Sequence, residues 1–255
     1  MRFLNQVAIV TAAGAGIGWA TAEILAREGA TVAAVDIDDD RLASLQTAMA
    51  AERGRVEPHC TDALDEGKVR AVVADAIGKW GRIDILVNAV GGSTIVSKPS
   101  ATVDELSFAD WRRLIDFNLD STFLFCNAAV PEMKRARRGK IVNLSSIAGR
   151  GLSAASSSAY AAAKGGIIAL TRKLAIELGP FNINVNAIAP SLTLTERLRP
   201  HWEKRTPEER AAEVERVPLR RIAEARDQAR VIAFLASTDA DFVTGQTIDV
   251  SGGLS

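Results

Sequence analysis

Short β-branched runs alternate with amphipathic stretches along the whole 255-residue chain, and this alternation constrains the fold more than any other property of the sequence. Val7–Val10, Thr31–Val35, Arg55–Cys60, Ile83–Val87, Lys140–Leu144, Asn182–Ile188 and Thr247–Val250 read as strands. The segments between them carry helical periodicity, as in Trp19–Glu28, Phe108–Arg135 and Asp227–Ala236. Regular alternation of this kind predicts an α/β fold: a doubly wound, seven-stranded parallel sheet with right-handed crossovers and helices on both faces. No Pro/Ser-rich linker, low-complexity tract or repeat interrupts the pattern, so residues 1–255 are expected to form a single domain, with 47% hydrophobic residues to fill its core.

Charge and cysteine usage narrow the function classes. Lys plus Arg equal Asp plus Glu at 31 each, which removes the broad basic footprint of a nucleic-acid binder. No apolar run approaches the ~18 residues of a membrane helix, and the N-terminal VAIV is too short for a signal peptide core. A cytoplasmic protein with a small-molecule partner is expected. Cys60 and Cys126 are far apart and read as reduced core thiols, and with only His59 and His201 no metal centre is expected.

After the first strand comes Thr11-Ala-Ala-Gly14-Ala-Gly16-Ile-Gly18, then a helix. Glycines let such a loop turn tightly and bring backbone amides up to a pyrophosphate, which the helix N-terminus also attracts. The second strand ends in Asp36, whose carboxylate can accept hydrogen bonds from both adenosine-ribose hydroxyls and repels a 2′-phosphate. No cation occupies positions 12–18 or 37, and Arg41 is expected to point outward, so NAD is expected over NADP. Asp62 follows the third strand, where it either meets the adenine or caps a helix; Asp65 is the better cap. Asn88-Ala-Val-Gly91-Gly92 after the fourth strand predicts backbone laid against a ligand.

Ser157–Thr171 holds Tyr160, the only tyrosine, one helical turn before Lys164. Residues i and i+4 share a helix face, so the phenol and the ammonium lie side by side, and an adjacent cation lowers a phenol pKa from its usual ~10. Such a tyrosine can exchange a proton with an alcohol or ketone. The strand Lys140–Leu144 ends in Ser145 and Ser146, placing a hydroxyl where open α/β sheets carry catalytic groups. Asn118, a poor helix former inside a long helical stretch, is either a solvated surface residue or a group with work inside.

Together Thr11-x4-Gly16-x-Gly18, Asp36, Asp62, Asn88-Ala-Val-Gly91, Asn118, Ser146, Tyr160-x3-Lys164 and Pro190 resemble the short-chain dehydrogenase/reductase family over essentially the whole length. The resemblance, nearest to 3-oxoacyl-thioester reductases, implies that Gly14, Gly16, Ile17 and Gly18 hold the pyrophosphate, Asp36 the ribose and Asp62 the adenine. Asn88 and Gly91 border the same cofactor, with Pro190, Thr193 and Thr195 near its carboxamide. It also implies that Ser146 orients the substrate oxygen, that Tyr160 is the proton donor or acceptor, and that Lys164 binds the nicotinamide ribose. Asn118 would then hold a water or a helix distortion, and the assembly would be a homotetramer packed through the two long helices.

Three departures stand out: Ala12 in place of a first glycine, Ala89-Val90 in place of Asn-Ala, and one extra residue between Ser146 and Tyr160, which keeps Ser145 as a second candidate. The expected activity is hydride transfer between NAD(H) and a secondary alcohol or ketone. An NADP-dependent 3-oxoacyl-thioester reductase and a non-catalytic dinucleotide-binding regulator are the alternatives. Residues 192–221 are the least regular part and suit a substrate lid. Its Arg197, Arg199, His201, Lys204 and Arg205 are either an anion site or a solvated face.

Overall fold

The computed structural model describes residues 1–153 and 155–254. Its sheet has seven parallel strands: β1 (Val7–Thr11), β2 (Thr31–Asp36), β3 (Arg55–Cys60), β4 (Ile85–Asn88), β5 (Gly139–Leu144), β6 (Ile183–Pro190) and, last in the chain, β9 (Thr247–Val250). They lie in the order β3-β2-β1-β4-β5-β6-β9, the doubly wound parallel sheet that the alternation predicts. Successive side chains of a strand point to opposite faces, and both faces are buried. Ala8 and Val10 therefore join one core while Ile9 between them joins the other.

Helices α1 (Gly16–Arg27), α2 (Asp39–Met49) and α9 (Ala225–Ala236) cover the first face. Helices α3 (Glu66–Trp80), α5 (Ser121–Ala136) and α6 (Ser158–Leu178) cover the second. A fully buried Leu86 or Ile232 contributes about 1.5–3 kcal/mol by leaving water. Helix starts follow local chemistry. Asp38 accepts from the Arg41 N–H, Asp65 from Lys68, Ser107 from Asp110 and Ser157 from Tyr160, each occupying an N–H that the first turn leaves unpaired.

The strand order reverses between β1 and β4, and the two chains leaving their C-terminal ends diverge to open a crevice. A second departure from regularity faces that crevice. The stretch Phe108–Arg135, one helix by its periodicity, is α4 (Phe108–Ile115), a π-helical turn (Asp116–Asp120) and α5. Asn118 is buried in that turn, and its side-chain Nδ2 donates to the Leu114 carbonyl 2.9 Å away, the acceptor its own backbone N–H would take in an α-helix. Beyond β6 the irregular segment forms β7 (Thr193–Leu194), α7 (Arg199–Glu203), α8 (Pro207–Arg216) and β8 (Ala223–Glu224), with β7 and β8 paired in parallel. Thr206 and Glu209 close the expected capping box at α8. Cys126 is buried, but Cys60 at the end of an edge strand is exposed, against the expectation of two core thiols.

Candidate active site

A cleft of about 320 Å³ opens at the strand reversal. Gly16, Ile17, Gly18 and Asp36 line one end, while Gly91, Ser146, Tyr160 and Lys164 line the other. Pro190, Thr193 and Thr195 form the wall leading to the lid. The sequence thus assembles most of its candidate residues on one surface.

The glycine loop owes its shape to close backbone packing. A Cβ on Gly18 would lie 2.0 Å from the Ala12 carbonyl oxygen, so α1 starts hard against the loop. Ala12 itself takes φ +51°, a left-handed conformation that an alanine adopts at a cost of roughly 1–2 kcal/mol, so the missing glycine changes the strain and not the path. Thr11, the last residue of β1, accepts hydrogen bonds at Oγ1 from Ala89 N (2.9 Å) and Val90 N (3.3 Å), tying the two diverging loops together. The sequence signal for Thr11 is its place at the head of the Thr11-x4-Gly16-x-Gly18 motif; its link to the loop after β4 is not legible there.

The Gly14 N–H donates to Asp36 Oδ2 at 2.9 Å and the Asp38 N–H to Oδ1 at 3.1 Å, which aims the carboxylate along the cleft floor. The Gly16 N–H donates to the Glu196 carboxylate from the lid at 2.9 Å. A loop amide already satisfied by an anion fits the phosphate of a dinucleotide. Arg41, expected to point outward, instead lines the cleft beside Asp36, with its Nε committed to Asp38 Oδ2 at 3.0 Å. Gly14, with its N–H on Asp36, is set back from the cleft lining, and two further candidates lie outside it. Asp62 is exposed outside the cleft, where Oδ1 accepts from the Leu64 N–H in a local turn. Asn88 turns into the core, donating to Asn143 Oδ1 (2.8 Å) and Cys126 Sγ (3.3 Å), because partners far along the chain hold its amide away from the cleft.

At the other end, Asn118 stands behind the cleft wall. Its Oδ1 accepts from the Gly92 N–H (2.9 Å) and its Nδ2 donates to the Gly92 carbonyl (3.1 Å), so the π turn clamps the loop after β4. A Cβ on Gly91 would lie 2.7 Å from both Asn118 Oδ1 and Lys164 Nζ, which explains glycine there. The two serines divide their work. Ser145 Oγ donates to the Lys164 carbonyl at 2.8 Å and is used within the fold. Ser146 Oγ accepts from the Ala148 N–H at 3.2 Å, donates to the Pro190 carbonyl at 3.5 Å, and faces the cleft with Tyr160.

Lys164 is 2% exposed, with Nζ donating to the Leu144 carbonyl at 2.8 Å and lying 5.8 Å from the Tyr160 ring centre. Burial pulls its pKa down to about 7, with Arg197 contributing in the same direction. Burial likewise pushes the Tyr160 phenol above its ordinary value, opposed by the Ser146 hydroxyl and by Arg197. The influences that lower the phenol are the Ser146 hydroxyl and Arg197, where helical spacing points to Lys164. Of the basic group Arg197, Arg199, His201, Lys204 and Arg205, only Arg197 reaches the cleft, and Glu196 beside it was not foreseen there, because the tertiary path of the segment after β6 decides which of these side chains arrive.

A parallel doubly wound sheet with a glycine loop and strand-end carboxylate at one end of its switch-point cleft, and Ser, Tyr and Lys at the other, defines a dinucleotide-dependent enzyme. The family model described as enoyl-(acyl carrier protein) reductase matches residues 11–255. A 3-oxoacyl-(acyl-carrier-protein) reductase of Thermotoga maritima is 38% identical over 254 residues, covering 100% of this chain and 99% of its own. A cis-4-hydroxycyclohexanecarboxylate dehydrogenase of Sinomonas cyclohexanicum is 38% identical, covering 98% of this chain and 97% of its own. The crystal structure of a 3-oxoacyl-(acyl-carrier protein) reductase with bound NAD from Brucella melitensis is similar at a TM-score of 0.88 and 36% identity, covering 99% of this chain and 94% of that one. The chain belongs to the short-chain dehydrogenase/reductase family and is an oxidoreductase acting on CH–OH groups. Enzymes of this family use a nicotinamide dinucleotide, and among the described residues no helix is long and apolar enough to cross a membrane.

Proposed function

We propose that the enzyme transfers a hydride between NAD(H) and a secondary alcohol or ketone, with Tyr160 exchanging the proton. The observation that carries this reading is the convergence of Ser146, Tyr160 and Lys164 on the same cleft that runs to the glycine loop and Asp36. The bound nicotinamide supplies the hydride for the carbinol carbon. The chain supplies orientation and one proton path. Ser146 Oγ holds the substrate oxygen, and Tyr160 Oη donates to that oxygen in reduction or accepts from it in oxidation. Lys164 holds the nicotinamide ribose. A lysine pKa of about 7 also suits passage of a proton near neutral pH, because the group gives and takes with little driving force either way. Asn118 is a positioning residue that fixes Gly92, and with it the wall beside Lys164.

Gly14 aims Asp36, Gly16, Ile17 and Gly18 receive the pyrophosphate, Asp36 takes the adenosine ribose, and Gly91, Pro190, Thr193 and Thr195 enclose the nicotinamide. The Asp36 carboxylate disfavours a 2′-phosphate, and Arg41 offsets it only in part because its Nε is already paired with Asp38. The expected result is a kcat/KM for NADH above that for NADPH by on the order of tenfold or more, since like charges brought together cost several kcal/mol. Steady-state rates with both coenzymes check this. A preference for NADPH supports instead the second reading, an NADP-dependent 3-oxoacyl-thioester reductase, which the Thermotoga relative and the place of Arg41 favour. The Sinomonas relative, named for a hydroxycyclohexanecarboxylate, makes 4-oxocyclohexanecarboxylate a reasonable first assay ketone. A cytoplasmic homotetramer suits the exposed Phe123 of α5 and Ile176 of α6, which lie on the helices expected to pack between subunits.

A further inference from the structure

The first basic or titratable side chains of the lid are Arg197, Arg199, His201, Lys204 and Arg205, and the structure separates Arg197 from the others. Arg199 pairs with Glu224 at 2.9 Å and Arg205 with Glu213 at 3.7 Å. His201 directs Nδ1 to the Arg197 carbonyl at 3.3 Å, and neither His201 nor Lys204 lines the cleft. Arg197 does line it. Among the described residues no carboxylate lies within ion-pair distance of Arg197.

The guanidinium is held by backbone. Both Nη1 and Nη2 donate to the Gly91 carbonyl at 3.2 Å, and a Cβ on Gly92 would lie 2.5 Å from each of them. Since a guanidinium carries five N–H donors in a rigid fork, this seat fixes the head group and leaves donors to spare. Arg197 is exposed into the cleft, near enough to Tyr160 and Lys164 to affect the charge of both. The catalytic end of the cleft thus gathers two basic groups, Arg197 and Lys164, with no carboxylate in ion-pair distance of Arg197 among the described residues. A neutral ketone has no use for the second cation, whereas a carboxylate would take the spare donors in a charge-assisted pair and relieve the repulsion between Arg197 and Lys164.

We propose that Arg197 binds a carboxylate carried by the substrate, making the enzyme selective for oxo and hydroxy acids over their neutral counterparts. This rests on the reading above that the reacting oxygen sits between Ser146 and Tyr160. The other anion in reach is the cofactor pyrophosphate. Position argues for the substrate, because Glu196 extends to the phosphate loop whereas Arg197 is seated on Gly91 and Gly92.

The test uses the wild type, Arg197→Met and Arg197→Lys with a matched pair of ketones, 4-oxocyclohexanecarboxylate and its methyl ester. The wild type is expected to favour the acid in kcat/KM by on the order of 10- to 100-fold, the range for a hydrogen-bonded charge pair. Arg197→Met should lose most of that preference, Arg197→Lys should keep part of it, and NADH affinity measured by fluorescence should change little in either. Equal use of acid and ester by the wild type overturns the proposal, as does a Met variant that loses NADH affinity in step with activity, which would assign Arg197 to the pyrophosphate. Calorimetric titration of cyclohexanecarboxylate into the enzyme–NADH complex needs no turnover. Binding by the wild type that Arg197→Met abolishes supports the proposal even if neither ketone reacts and the reductase reading fails; no binding, or equal binding by both proteins, overturns it.

Discussion

Tyr160→Phe should lower kcat by on the order of 10²- to 10⁴-fold, the usual worth of a positioned proton donor, while leaving NADH binding nearly intact. The phenyl ring has every reason to stay in place. Tyr160 packs against the cluster of Val96, Leu114, Ala159 and Trp111, none of which touches the lost oxygen's chemistry. What disappears is the phenol hydroxyl, the group that exchanges the proton. Single-turnover rates measure the first effect and NADH fluorescence titration the second. A variant that still reduces ketones at the wild-type rate would remove Tyr160 from the proton path and leave Ser146 or Lys164 to supply it.

Gly18→Ala should be the most damaging small substitution at the cofactor end. The added methyl would lie 2.0 Å from the Ala12 carbonyl oxygen, 2.6 Å from its carbon and 2.9 Å from the Thr11 carbonyl oxygen. All three are backbone atoms, so no rotamer change relieves the clash and α1 must move off the loop. A loss of about 3 kcal/mol or more is expected, at the upper end for overpacking because nothing nearby can yield. NADH binding should fall with it, since the Gly16 N–H moves with the helix. Gly78→Ala is the control: nothing lies within 4 Å of a Cβ there, and alanine inside α3 should stabilise by about 0.5–1 kcal/mol. Denaturant melts of both variants, with NADH titration, decide the point; a Gly18→Ala protein as stable as wild type would mean that the loop is not packed as described.

The sheet was readable from sequence because its inner strands are covered on both sides, so runs such as Val7–Val10 and Val32–Val35 carry unbroken apolar signals. Asp36 was readable for a related reason, as the polar residue that ends such a run. Asn118 was singled out as a misfit, and the family resemblance allowed a helix distortion there; that Asn118 clamps Gly92 was not legible, since it depends on which loop lies opposite in space. Asn88 looked like a cofactor contact because it ends a strand at the right place; partners 38 and 55 residues away turn it inward. Charge at the catalytic centre was the least legible. The pairing of Tyr160 with Lys164 follows from helical spacing, whereas the depth of burial that drives Lys164 to about 7, and the arrival of Arg197 from the lid, are products of tertiary structure.

The central claim, that this cleft moves a hydride from nicotinamide to a carbonyl carbon, can be followed atom by atom. NADH carrying deuterium at its hydride-donating carbon is incubated with 4-oxocyclohexanecarboxylate, and the alcohol is examined by NMR and mass spectrometry. Deuterium is expected on the carbinol carbon of a single alcohol stereoisomer, one atom for each NADH oxidised. Alcohol formed without the label, or NADH consumed with the label released to water, would contradict it.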